Sequence, residues 1–283
     1  SKIRSFKTVI IHLFFILELQ NMNKVTDLNL KKNFNFAVKN HRQNKLEEAQ
    51  FYYNKVLEVN PDHLRSINNL GAIFQGLGEN QKAKDRYEKA IKLNPNFKTA
   101  HNGLGLIFHN LDENKKAIDC FEKAIELDSE YKEAIFNLGM VFKYLGEDLK
   151  AKDCFEKVII IDPNYVDAHF KRGLIVLKLG EFEKAKVSFR KVIEINPNFV
   201  EAHNLLGLIF VKLGEFHNAK SYYEKVIEIN PNNGDAHASL ANIFEELGEN
   251  EKAKKCYEKV NKIDPNYIDE ILNIAVKNHN QNK

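Results

Sequence analysis

Residues 166–199 read VDAHFKRGLIVLKLGEFEKAKVSFRKVIEINPNF, and residues 200–233 read VEAHNLLGLIFVKLGEFHNAKSYYEKVIEINPNN. The second stretch repeats the first. Gly173 becomes Gly207, Leu179-Gly180-Glu181 becomes Leu213-Gly214-Glu215, Ala185 becomes Ala219 and Pro197 becomes Pro231, each 34 residues on. Outward from this pair, Leu-Gly-Glu or a close variant stands at Leu77, Leu145 and Leu247, with Leu111-Asp112-Glu113 filling the gap. Prolines 61, 95, 163 and 265 keep the same step, and Ser129 stands where a proline is missing. A fixed period of this length marks stacked units that cannot bury their apolar faces singly.

With the proline at position 32, the chain divides into seven units: 30–63, 64–97, 98–131, 132–165, 166–199, 200–233 and 234–267. Residues 1–29 form an N-terminal segment. Residues 268–283 are either a capping helix or a truncated eighth repeat, and 273–283 (NIAVKNHNQNK) echo 35–45 (NFAVKNHRQNK).

Each unit reads as two helices. In the second unit Ile67, Leu70, Gly71 and Phe74 share one face, the i, i+3, i+4, i+7 pattern of a half-buried helix. Gly78 suits a left-handed helix end because it lacks a β-carbon. A second helix carries Ala83, Tyr87, Ala90 and Ile91 inward, and Asn94-Pro95 stops it. Position 8 is glycine or alanine throughout, position 20 is alanine without exception, and position 24 is Tyr or Phe. The ring at 24 is expected to fill the space beside the alanine one turn earlier on its own helix.

Small residues at 8 and 20, an aromatic at 24 and proline at 32 resemble the tetratricopeptide repeat (TPR), over about residues 30 to 279. The resemblance implies an all-α fold: a right-handed TPR superhelix, an α-solenoid of antiparallel helix pairs. The departure is position 4, where the family often has a large apolar residue and this chain has His101, His169, His203 and His237. There is a partial resemblance to the TPR region of O-linked N-acetylglucosamine transferase-like proteins. Asn35, Asn69 and Asn137 sit at its asparagine-ladder position, but Gly103, Lys171, Leu205 and Ser239 break the ladder. The two-carboxylate clamp of chaperone-tail TPR domains is not restored: Asn69 fits, while Phe34, Val38, Thr99 and Gly103 do not.

Composition narrows the function. Lys+Arg is 42 against Asp+Glu 39, a net charge of +3, without the basic excess of a nucleic-acid binder. The three cysteines form no C-x-x-C, and their usage fits a reducing compartment. Cys120 and Cys154 share position 23 of adjacent units, too far apart for a disulfide. The histidines at position 4 are also one repeat apart, about 8–10 Å, so they cannot share a metal ion. They read as packing residues hydrogen-bonded inside their own repeat. Lys84–Glu88, Lys152–Glu156, Lys220–Glu224 and Lys254–Glu258 read as i, i+4 surface pairs. No phosphate loop, nucleophile elbow or H-E-x-x-H occurs. The chain is therefore expected not to be an enzyme and to use no cofactor or metal.

Val9–Leu19 (VIIHLFFILEL) follows Lys2, Arg4 and Lys7 and is too short to span a bilayer. Three readings stand: Met22 is the true start and 1–21 are not native, the segment is a secretion signal, or it is an apolar helix. Cytoplasmic localisation is expected, without membrane association unless this segment is native.

In the family the first helices line a concave groove. Carrying over those positions assigns a partner-binding surface to Asn69, Asn102, Phe136, Met140, Lys143, Tyr144, Phe170, Leu174, Leu177, Lys178, Asn204, Leu208, Val211 and Lys212. Its centre is apolar with a row of lysines, and the last unit is acidic at Asp235, Glu245 and Glu246. The expected function is a protein-protein interaction scaffold that holds a peptide segment of a partner, apolar groups on Phe136, Phe170 and Leu174 and acidic groups by the lysines. The partner is protein or peptide, not nucleic acid. The alternative is the partner- or substrate-recruiting region of a larger glycosyl-, methyl- or sulfotransferase, truncated at the C-terminus.

Overall fold

The computed structural model describes residues 24–265, and all regular structure among them is helical. The expectations for residues 1–23 and 266–283 lie outside the described residues. Helix α1 covers 24–42. It is followed by α2 (Leu46–Val59), α3 (Leu64–Gly76), α4 (Asn80–Leu93), α5 (Lys98–Asn110), α6 (Asn114–Leu127) and α7 (Lys132–Tyr144). Then come α8 (Asp148–Ile161), α9 (Val166–Lys178), α10 (Phe182–Ile195), α11 (Val200–Lys212), α12 (Phe216–Ile229), α13 (Gly234–Glu246) and α14 (Asn250–Ile263). Residues 24–29, assigned above to the N-terminal segment, are part of α1.

The chain forms two compact units, Ser1–Val141 and Phe142–Lys283. In the first, α3 packs on α4 and α5 on α6, and α2 against α3 and α4 against α5 join successive pairs; α3 also touches α5. In the second, α9 packs on α10, α11 on α12 and α13 on α14, joined by α8 against α9, α10 against α11 and α12 against α13. Each unit is thus an all-α solenoid in which a helix pair buries its apolar side on the next pair.

The turns have local causes. After each first helix the chain reverses through a left-handed residue. Gly180 has φ +78°, and Glu181 N–H then donates back to Val176 O at 2.9 Å, closing the helix end. Asn44 and Asp112 stand in this conformation without being glycine. After each second helix from α2 to α12 an Asn or Asp side chain accepts from the backbone two residues on. Asn196 Oδ1 takes Asn198 N–H at 3.2 Å and Asp162 Oδ1 takes Asn164 N–H at 3.1 Å. This Asx turn explains the Asn-Pro and Asp-Pro pairs at unit ends.

The position-4 histidines are hydrogen-bonded, but not inside their own repeat. Each points Nε2 at the carbonyl of the proline that ends the preceding one: His101 to Pro95 at 2.8 Å, His169 to Pro163 at 3.0 Å, His203 to Pro197 at 2.9 Å and His237 to Pro231 at 3.0 Å. A carbonyl only accepts, so Nε2 carries the proton in each. Where proline is replaced by Ser129, position 4 is Ile135.

The aromatic at position 24 meets a residue of another helix. It lies across the position-8 glycine of the paired first helix. A β-carbon on Gly71 would come within 2.9 Å of the Tyr87 ring, on Gly105 within 2.8 Å of Phe121, and on Gly207 within 2.7 Å of Tyr223. Phe121, Phe155 and Phe189 are fully buried. Lysines stitch adjacent repeats at the edge of this core. Lys84 and Lys116 lie 5.5 and 5.3 Å from the Phe108 ring centre, and Lys220 and Lys252 lie 5.2 and 5.5 Å from that of Phe244. Such contacts put the cation over the ring face while the aliphatic stem covers apolar surface.

Candidate functional site

The expected surface residues lie on first helices in both units. In the first unit, Asn69 on α3 donates Nδ2–H to Tyr53 Oη at 2.9 Å. Together with Val38, His41, Arg42 and Tyr53 it lines a pocket of about 400 Å³. Asn102 on α5 accepts from Asn137 Nδ2 at 3.0 Å, which engages one of the ladder-position asparagines. Phe136 and Met140 on α7 are half-buried.

In the second unit, Lys143, in the last turn of α7, is half-buried, with Lys171 and Lys178 of α9 in its field. Burial, then Lys171, lowers its pKa, with Asp148 opposing. Lys178 is not available in full: its Nζ donates to Asp148 Oδ2 at 2.6 Å. Lys171, which breaks the asparagine ladder, stands at position 6 and shares the face of positions 9 and 13. Tyr144 is 63% exposed.

Phe170 is largely a packing residue. Its ring centre is 4.9 Å from that of Phe199 and 5.8 Å from that of Phe189. Leu174 and Leu177 are half-buried against the same core. Leu208, by contrast, is 40% exposed. With Val211 of α11, Phe216 and Tyr223 of α12, and Ser239 and Glu246 of α13 it lines a pocket of about 380 Å³. This pocket has the same register as the one around Tyr53: positions 9, 12 and 24 of one repeat and 6 of the next. Asn204 is half-buried with its Oδ1 unbonded among the described residues, and Lys212 is exposed at the end of α11.

Polar contacts off this face differ from the sequence reading at two of the four expected pairs, Lys152–Glu156 and Lys254–Glu258. Glu156, paired above with Lys152, accepts instead from Arg172 Nε at 2.9 Å, and Arg172 Nη1 donates to the buried Ser188 Oγ at 2.8 Å. The pairs Lys84–Glu88 and Lys220–Glu224 form, at 3.8 Å each. Closer pairs occur at i, i+3, as in Lys191–Glu194 at 2.7 Å. Cys120, Cys154 and Cys256 are free thiols, and burial pushes that of Cys120 up to about 11. Among the described residues no group of three or more His, Cys, Asp or Glu could hold a metal ion, and no helix is long and apolar enough to cross a membrane.

Family models described as tetratricopeptide repeat match residues 40–63, 99–131, 132–165 and 210–274, and one described as TPR repeat matches 77–112 and 173–214. No match was found among curated proteins. Among solved structures the chain is similar to YrrB, "a TPR protein with an unusual peptide-binding site", at 25% identity over 64% of this chain and 94% of that one, with a TM-score of 0.58. It is similar in fold to pilF of Pseudomonas aeruginosa (19% identity, 73% of this chain and 94% of that one, TM-score 0.66). A third likeness is to the C-terminal part of a TPR repeat-containing protein of Cytophaga hutchinsonii (21% identity, 82% and 95%, TM-score 0.68). The matched segments together span well over half of the chain and agree with the helix-pair stacking, so this chain belongs to the tetratricopeptide-repeat proteins.

Proposed function

We propose that the protein is a non-enzymatic interaction scaffold that holds a peptide segment of a partner protein on the first-helix face of its Phe142–Lys283 unit. The observation that carries this reading is the pocket at Leu208, Val211 and Phe216: Leu208 is exposed, and Val211 and Phe216, half-buried against the core, line the same pocket. Exposed apolar ground with polar surroundings is typical of interaction sites. The likeness to YrrB, whose description names a peptide-binding site, adds support. The transferase-type reading has less: Asn69 and Asn137, two of the ladder-position asparagines, donate to Tyr53 and Asn102.

Leu208, which is exposed, is a better probe than Phe170, whose removal would open the core between Phe189 and Phe199; Leu174 packs partly on the same core, so folding must be checked. Partners captured from native extract by the intact protein are to be compared quantitatively with those captured by a Leu174→Ala/Leu208→Ala variant. A partner lost at least about tenfold by a variant with unchanged circular dichroism supports the reading. Equal capture of every partner removes it.

A further inference from the structure

Past the first turns of its first helices, where α9 and α11 carry Asp167 and Glu201, charge changes sign across the Phe142–Lys283 unit, and the pocket borders the acidic side. On one side stand Lys143, Lys171 and Lys178, with Asp148 the carboxylate in their midst. Lys143 is partly desolvated and repelled by Lys171, so a second anion there relieves a cost already present in the free protein. Lys212, at the end of α11, continues the basic side. On the other side Glu246 lines the pocket from α13, and its neighbour Glu245 accepts from Tyr257 Oη at 3.2 Å. Leu208 and Val211 belong to α11, which comes between α9 and α13 in the stack, and they share the pocket with Glu246.

We propose that this unit selects an extended partner segment with acidic residues at one end, an apolar residue at its centre and a basic residue at the other. The inference rests on the groove reading above and names the partner's chemistry. Its carboxylates lie by Lys143 and Lys171, its apolar side chain enters the pocket at Leu208, and its cation pairs with Glu246. Helix α9 is two first-helix steps from α13. An extended chain of about five or six residues reaches roughly 16–20 Å, enough to pass over more than one helix of the stack. Charge of matching sign at both ends fixes which segments bind and in which direction, because like charges brought together are costly.

The test uses the full chain and fluorescein-labelled nonapeptides with two charged residues at each end of a central Ala-Leu-Ala-Leu-Ala. The charged ends are glutamate–lysine, lysine–glutamate, glutamate–glutamate or lysine–lysine. Fluorescence anisotropy should show one of the two mixed peptides binding about tenfold tighter than either uniform one. Glu246→Lys should turn the preference toward the glutamate–glutamate peptide, and Lys171→Glu should weaken all glutamate-bearing peptides. Both side chains are solvent-accessible, so the fold should tolerate both changes. An unchanged preference in Glu246→Lys overturns the proposal while leaving the groove reading intact. If no peptide binds, the charge pattern is overturned, and the groove reading then stands or falls on the leucine-dependent capture described above.

Discussion

The Phe189 ring lies so close to Gly173 that a β-carbon there would stand 2.6 Å from Cε1. The ring is fully buried and cannot move aside. Gly173→Ala therefore sets two effects against each other. Alanine favours a helix over glycine by about 1 kcal/mol, while overpacking a closed core costs about 1–3 kcal/mol. The overpacking should win, and Gly173→Ala should lower the unfolding free energy measured in urea. Phe189→Ala, which empties the site, should cost about 3–5 kcal/mol.

Left-handed turns make a second test. Gly180 has φ +78° with nothing within 4 Å of where a β-carbon would be, so steric crowding is absent. Gly180→Ala should still cost about 1–2 kcal/mol, the backbone penalty of this conformation for an L-residue. Asp112 already bears it at φ +60°, offset by the bond its Oδ1 accepts from Asn114 Nδ2 at 2.7 Å. Asp112→Gly should change stability by less than about 1 kcal/mol.

Acid should loosen the repeat junctions. Burial holds His169 below its ordinary 6.5, against the opposing bond to the Pro163 carbonyl, and burial lowers His41 and His63 as well. The unfolded chain then binds protons that the folded chain refuses. Stability from these groups is complete above about pH 6.5 and is lost as pH falls through the lowered values. Urea midpoints should fall between pH 7.5 and 5, and His169→Phe should show a shallower fall than the intact protein.

Arg172 joins α9 to Glu156 of α8 and to Ser188 of α10. Its side chain is 20% exposed and that of Glu156 is 38% exposed, so solvent screens the pair in part. A double-mutant cycle of Arg172→Met and Glu156→Gln should give a coupling of about 1 kcal/mol. The same cycle on Lys191–Glu194, a surface pair on one helix, should give no more than about 0.5 kcal/mol.

The helix pairs were legible from spacing, since an apolar face repeating with a glycine stop and an Asn-Pro turn admits few other foldings. The site was legible only in part. Leu208 and Val211 could be placed on the first-helix face by counting positions, and they line a pocket. Phe170 could be placed there too, yet its ring serves the core, because Phe199 from the turn between α10 and α11 reaches it. Lys178 belongs by spacing to a row of lysines, but Asp148, thirty residues away in sequence, is bonded to it.

Periodicity alone determined which residues face inward within a repeat, because helical pitch and turn chemistry act over a few neighbouring residues. Which residues meet across repeats was decided by the packed structure: His203 on the Pro197 carbonyl, Phe189 on Gly173, Arg172 on Glu156. Those contacts depend on the angle and distance at which one helix settles against another. Side-chain volumes from several repeats set that geometry jointly, and no single stretch of sequence contains it.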